Sequence, residues 1–173
     1  FVKAVTEYRL SHTPKETGIR PCEGPLECLS PEETLAAVKG KKILSVEGCS
    51  KSVKDKVYKD FGIVIEDVSF AELNEAWDKV SDDLAQAKVK EWKRTAKKIV
   101  NVSDATLLGC AKQFYGMKDV LKKHDAIAMS INCLGGCYGG KLRAYPCLGF
   151  MELQDVGLFG TCENDIRSTV AMI

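Results

Sequence analysis

KKILSVEGCSKSVKDKVYKDFGIVIEDV, residues Lys41 to Val68, is the stretch whose reading decides the fold. Ile43 to Glu47 is a short apolar run that ends in Gly48, Cys49 and Ser50. Val53, Val57 and Phe61 then recur every four residues, one face of a helix closed by Gly62, and Ile63 to Val68 returns to a β-branched run. Strand, helix and strand in this order make a βαβ unit. The right-handed crossover that such units follow makes the two strands parallel.

Downstream, the same alternation of periods continues. Ser69 and Glu72 have the spacing of a capping box, ahead of Leu73, Ala76, Trp77 and Val80 at helical intervals. A sparsely apolar helical stretch follows with Leu84, Val89, Trp92, Ala96 and Ile99. The charge run from Lys88 to Lys98 within it reads as a solvated helix face whose lysine stems cover apolar neighbours. Ser103 caps another helix, with Leu107, Cys110, Ala111, Phe114, Val120 and Leu121 as a strong core stripe. Ala126 to Ile131 is the next buried strand, and it runs into Asn132, Cys133, Leu134, Gly135, Gly136, Cys137, Tyr138, Gly139 and Gly140. So many glycines after a strand suit either a plain tight turn or a loop that approaches a ligand or another chain. The spacing is neither a dinucleotide fingerprint nor a phosphate-binding loop.

Gly157 to Gly160 form a last short apolar run, and Ile166, Thr169, Val170 and Ile173 recur at helical spacing, which puts Asn164 and Asp165 in the first turn of a helix. Two readings of Asp165 stand together. It caps the helix, or it lines a ligand site at the carboxyl end of a strand, where α/β proteins usually bind. Upstream, Ser30, Pro31 and Glu33 mark a helix start, with Leu35 and Val38 on its apolar face and Gly40 as its stop. Residues 1–10 alternate as an edge strand would, and Ser11 to Leu29 reads as irregular. The fold class expected is α/β: a Rossmann-like parallel sheet flanked by helices, with a short C-terminal extension belonging to a further domain. Residues 1–40 are expected to be a linker or edge segment from a preceding domain, and 41–140 the central α/β domain. Residues 141–173 either complete the sheet or start the next domain. A start at Phe1 and an end inside an amphipathic pattern lead us to expect a piece of a longer protein.

At 173 residues and 45% apolar content the chain can bury a substantial core. Its 25 basic and 24 acidic residues argue against a nucleic-acid partner, which needs a basic face. No apolar run is long enough for a membrane helix, and no signal-peptide pattern is visible. The eight cysteines are read as reduced thiols of a cytoplasmic protein, because a large α/β core does not need disulfides. Cys49 and Cys110 look like core or near-core thiols. The spacing of Cys133 and Cys137 could suit zinc, but Cys147 and Cys162 lack the paired spacing of a zinc module. Cysteine nucleophiles want a histidine base, and the only two are His12, in the irregular start, and His124, which reads as a helix C-terminal residue. Glu152, Asp155, Glu163 and Asp165 offer better material, oxygen donors that suit Mg²⁺ or Mn²⁺, although each alone also reads as a surface charge.

Two segments carry a family resemblance. DATLLGCAKQFYGMKDVLKKHDAIAMSIN, Asp104 to Asn132, resembles the helix-then-strand segment in the central domain of the L-fucose isomerase-like sugar isomerases. YPCLGFMELQDVGLFGTCENDIRSTVAMI, Tyr145 to Ile173, resembles the stretch that follows it, with Cys-Glu-Asn-Asp as the most specific part. The resemblance covers residues 40–173 and implies an aldose–ketose isomerase that uses a divalent metal, usually Mn²⁺. In such an enzyme, carboxylates move a proton between C1 and C2 of a sugar through an ene-diol. Asp165 matches the family's aspartate, a metal ligand and acid/base group. Glu163 shares the motif without a ligand role. Where the family places its other carboxylate ligand, this chain has Gly139, Gly140, Lys141, Leu142 and Arg143, so Glu152, at an unmatched position, is the nearest substitute as a catalytic carboxylate. The family's histidine ligand belongs to a later domain, and its members form homo-oligomers with sites between subunits. The fragment alone is therefore expected to be inactive. The competing reading is a non-catalytic carbohydrate-binding or assembly domain of a divergent member; a third is a cysteine-based metal module.

Overall fold

Helix α1, Pro31–Val38, opens the part of the chain that the computed structural model describes, residues 29–173. The expected edge strand over residues 1–10, and nearly all of the irregular stretch after it, lie outside the described residues. At the start of α1 the capping box closes in both directions. Glu33 N–H donates to Ser30 Oγ at 3.2 Å and Ser30 N–H donates to the Glu33 carboxylate at 2.8 Å. Of the expected apolar face only Val38 is buried; Leu35 stays exposed.

From there the alternation legible in the sequence becomes a doubly wound domain. The described elements are β1 (Lys42–Val46), α2 (Lys51–Phe61), β2 (Val64–Val68), α3 (Phe70–Lys79), α4 (Asp82–Thr95) and α5 (Asp104–Lys123). After these come β3 (Ala128–Ile131), α6 (Cys147–Asp155), β4 (Phe159–Cys162) and α7 (Ile166–Met172). The four strands are all parallel, in the order β2-β1-β3-β4. Residues 35–173 form one compact unit. The segment after residue 140 thus contributes an edge strand, β4, paired with β3.

Alternation along the strands separates the two apolar layers. Leu44, Val46, Met129 and Ile131 face α3, α5 and α6, where Leu73, Phe114, Met117, Leu121, Phe150 and Leu153 close over them. Ile43, Ile65 and Ala128 face the other side and pack with Val38 of α1, Val57 of α2 and Ile166 of α7. Helix α4 forms an outer layer against α5 through Ala85, Val89, Leu107 and Ala111. It ends at Thr95, earlier than its apolar spacing suggests, and leaves Leu84 and Ile99 exposed.

Two glycines let helix and strand approach closely. A Cβ at Gly149 of α6 would collide with Met117 and Phe114 of α5, and one at Gly160 of β4 would collide with the Phe150 ring. Helix α6 therefore packs closely on α5, with Met117 filling the contact at Gly149, and sets its Phe150 ring directly on β4 at Gly160.

The lysine-rich face of α4 is not solvated throughout. Lys88 turns inward, 13% exposed at its side chain, over the Phe114 ring, and pairs with Glu152 of α6 and Glu91, each at 2.8 Å. Burial works to lower its pKa, but the hydrogen bonds to Glu152 and Glu91 outweigh that and leave the ammonium raised above its ordinary value. None of the helices among the described residues is long and apolar enough to cross a membrane.

Candidate functional site at the carboxyl edge of the sheet

In this strand order the chain winds to one side of β1 to make β2 and to the other to make β3 and β4. The strand order therefore reverses between β1 and β3, and the carboxyl edge at such a point is the place where α/β sheets bind ligands. Three loops meet there. After β1, Glu47 and Gly48 both adopt left-handed backbone, with φ of 75° and 80°, and turn the chain into the Ser50-capped start of α2. The Glu47 carboxylate accepts the Phe70 N–H at 2.9 Å and so sits on the positive end of α3. Asp67, near the end of β2, pairs with Lys54 of α2. The half-buried Cys49 thiol is raised by burial, which the Ser45 hydroxyl and Lys54 only partly offset.

After β3 the glycine-rich segment forms a π-helical turn, Leu134–Tyr138, rather than an open loop. Asn132 Oδ1 accepts the Gly135 N–H at 3.0 Å, and the Asn132 carbonyl accepts the Gly136 N–H at 2.8 Å. Gly136 is required for packing: a Cβ there would collide with Leu142 and the Phe70 ring. Tyr138, 79% exposed, and Leu134 project outward from the same turn. Beside it lies a cavity of about 240 Å³ whose lining includes Thr106, Gly109, Cys110, Cys137, Arg143 and Tyr145.

The third loop, after β4, is built around Asn164. Glu163 and Asn164 are both left-handed, with φ of 62° and 53°. Asn is among the few residues that take this conformation readily. The turn is closed by Asn164 N–H donating to the Ile131 carbonyl at 3.0 Å. Its side chain then spans to β1: Asn164 Oδ1 accepts the Ser45 hydroxyl at 2.9 Å, and Asn164 Nδ2 donates to the Gly48 carbonyl at 2.5 Å. One side chain thus joins the ends of β1 and β4 across β3.

Ser45 also starts a row of hydroxyls that crosses the sheet beneath α7. Register places Ser45 beside Ser130 and Ser130 beside Thr161, all three buried. Thr161 Oγ1 donates to Ser130 Oγ at 2.7 Å, and Thr169 Oγ1 of α7 lies 2.7 Å from Thr161 Oγ1 and 2.8 Å from the Asp165 carbonyl. The sequence reading took these strands as apolar runs and missed the row. A hydroxyl at the same pleat phase of each strand was the available signal.

Of the sequence-derived site residues, Asp165 is exposed at this edge and is the N-cap of α7. Its Oδ1 accepts the N–H groups of Arg167 and Ser168, each at 3.1 Å, and Oδ2 accepts the Ser168 hydroxyl at 2.6 Å. These bonds, that of the Ser168 hydroxyl foremost, hold the carboxyl below its usual pKa. Glu163 is exposed on the same turn. Glu152 is held elsewhere: its oxygens accept from Lys88 Nζ at 2.8 Å and Trp92 Nε1 at 2.6 Å and anchor α6 to α4. No hydrogen bond links Glu152 to Asp165. His124 does end α5, as its position suggested, and its ring also bridges Glu66 at 2.5 Å and Glu72 at 2.8 Å.

Among the described residues, no three His, Cys, Asp or Glu side chains converge as a metal ion would require. Neither the carboxylates from Glu152 to Asp165 nor the thiols from Cys133 to Cys162 form such a group. What the edge does provide is a frame tied by Asn164, with the Asp165 carboxylate on one turn and the glycine-rich π-helical turn on another. No protein-family model matches the chain, and no curated protein matches it.

Proposed function

We propose that the chain is part of a metal-dependent aldose–ketose isomerase of the L-fucose isomerase-like family, which moves a proton between C1 and C2 of a sugar through an ene-diol. The observation that carries this reading is the Cys-Glu-Asn-Asp turn, which presents an exposed Asp165 at the carboxyl edge of a parallel sheet. The hydrogen bonds that lower its pKa keep Asp165 ionised, the form that accepts a proton, while leaving it a weaker base than a free carboxylate. Its bonds to Ser168 and Arg167 fix its direction. Asn164 supports the turn from β1. Glu152, whose oxygens are engaged by Lys88 and Trp92, is the weaker of the two carboxylate candidates.

The described residues do not fit a complete Mn²⁺ site, because Asp165 has no second and third ligand beside it. No step is therefore assigned to a metal on this chain. Under this reading the remaining ligands come from other parts of the protein or from another subunit of a homo-oligomer, and the chain by itself is inactive.

The test is an assay of the whole protein with Mn²⁺ and a panel of aldoses in D₂O, read by ketose formation and deuterium at C2. Turnover is expected, and Asp165→Asn should lower it at least about a hundredfold, as loss of a general base does. A folded, metal-loaded protein that binds sugars without turnover or exchange would overturn the isomerase reading in favour of a non-catalytic carbohydrate-binding or assembly domain. Full activity in Asp165→Asn would overturn the assignment of the base.

A further inference from the structure

We propose that Cys133 and Cys162 form a reversible dithiol, closed to an intrachain disulfide by a hydroperoxide, that ties the turn after β3 to the turn carrying Asp165. The geometry comes from the sheet. Cys162 is the last residue of β4 and pairs in register with Ile131, the last residue of β3. Cys133 lies two residues beyond Ile131, at the start of the π-helical turn. The Asn164 N–H bond to the Ile131 carbonyl at 3.0 Å keeps the two chains together as they leave the sheet. Across this junction Cys133 lies close enough to Cys162 to act on its thiol. Cys162 is exposed and Cys133 half-buried, so a small oxidant can reach the pair.

The surroundings favour a pair over a metal cluster. Cys110, Cys137 and Cys147 lie close enough to influence one another electrostatically, yet no three thiols or other ligands among the described residues could hold a metal ion. Cys110 is buried. Two thiols at adjacent strand ends suit two-electron chemistry.

Partial desolvation, and then the neighbouring Cys133, push the Cys162 thiol up to about 12. The Cys133 thiolate attacks one peroxide oxygen and the O–O bond breaks. This leaves a sulfenic acid on Cys133 and releases hydroxide or alkoxide, which is protonated. The Cys162 sulfur then attacks the Cys133 sulfur. The S–S bond forms as the S–O bond breaks, and the Cys162 proton leaves with the hydroxide as water. Two electrons pass from the two sulfurs to the peroxide, and an added dithiol restores both thiols by exchange.

This inference stands without the isomerase reading. Its test is graded hydrogen peroxide on the folded, reduced chain, followed by alkylation, intact mass and peptide mapping under non-reducing conditions. Expected is the loss of two hydrogens per chain, one Cys133–Cys162 cross-linked peptide, and full reversal by dithiothreitol. Cys133→Ser and Cys162→Ser should each abolish the cross-link, whereas Cys137→Ser and Cys147→Ser should leave it in place. Cross-links that join either thiol to Cys137, Cys147, Cys22 or Cys28 instead would overturn the proposal. So would oxidation of Cys133 to the sulfinic acid with Cys162 still free.

Discussion

Replacing Asn164 with alanine tests whether this one side chain holds the carboxyl edge together. Asn164→Ala removes two part-buried hydrogen bonds, one from Ser45 and one to the Gly48 carbonyl, each worth about 1 kcal/mol net. It also strands the Ser45 hydroxyl in a fully buried position, at a cost of about 1 kcal/mol or more. Alanine at a φ of 53° adds about 1 kcal/mol of backbone strain that asparagine largely avoids. Together these give a loss of about 3 to 4 kcal/mol, a large part of the roughly 5 to 15 kcal/mol stability of an ordinary domain. Urea denaturation followed by circular dichroism would measure it. Asn164→Gly separates the contributions, since it loses the same bonds without the strain and should be about 1 kcal/mol more stable than Asn164→Ala. A loss under about 1 kcal/mol for Asn164→Ala, or a glycine variant less stable than the alanine one, would refute the reasoning.

Three further outcomes follow from other contacts. Hydrogen bonding to Glu72, and secondarily to Glu66, raises the His124 pKa against the opposing effect of burial. Its stabilisation is therefore fully present below the unfolded histidine value of about 6.5 and is lost as pH rises through the raised folded value, so denaturation midpoints of wild type should fall between about pH 6 and pH 9 more than those of His124→Gln. Glu152→Ala leaves the largely buried Lys88 ammonium without its inter-helix partner and should cost about 3 kcal/mol in chemical denaturation, with Glu152→Gln milder because it still accepts from Trp92. Gly160→Ala forces a methyl into the Phe150 ring and should lower stability by about 1 to 3 kcal/mol; an unchanged melting temperature would show that α6 can move away from β4.

Local signals proved legible where a residue's partner is close in sequence. Ser30 with Glu33, Ser103 before α5 and Gly62 at a left-handed cap all act within a turn of themselves, and all are found where their spacing places them. The Ser69 and Glu72 signature was read only half correctly. Ser69 caps α3, but the Glu72 side chain goes to His124 and Lys123, charged partners brought in by α5. Lys88 escaped for the same reason, since its partner Glu152 lies on another helix. Helix α6 was unreadable as a helix because Gly149 interrupts its pattern and only Gly149, Phe150 and Leu153 are buried. At the site, Asp165 was legible as both cap and candidate base, and the structure places it as the cap. The role of Asn164 was not legible, because its partners Ser45 and Gly48 lie at the far end of the domain's sequence.

The position of β1 at the centre of the sheet bears on how the chain folds. Ile43 pairs on one side with Ile65, reached through a single short helix, and on the other with Ala128, reached only after α3, α4 and α5. Closing the second pairing demands a far larger loop, so it forms later than the first. During synthesis the β1–α2–β2 unit must therefore wait with one edge of β1 unpaired and with Leu44 and Val46 uncovered until α5 and β3 arrive. That interval is when the chain is most open to pairing with a second copy of itself.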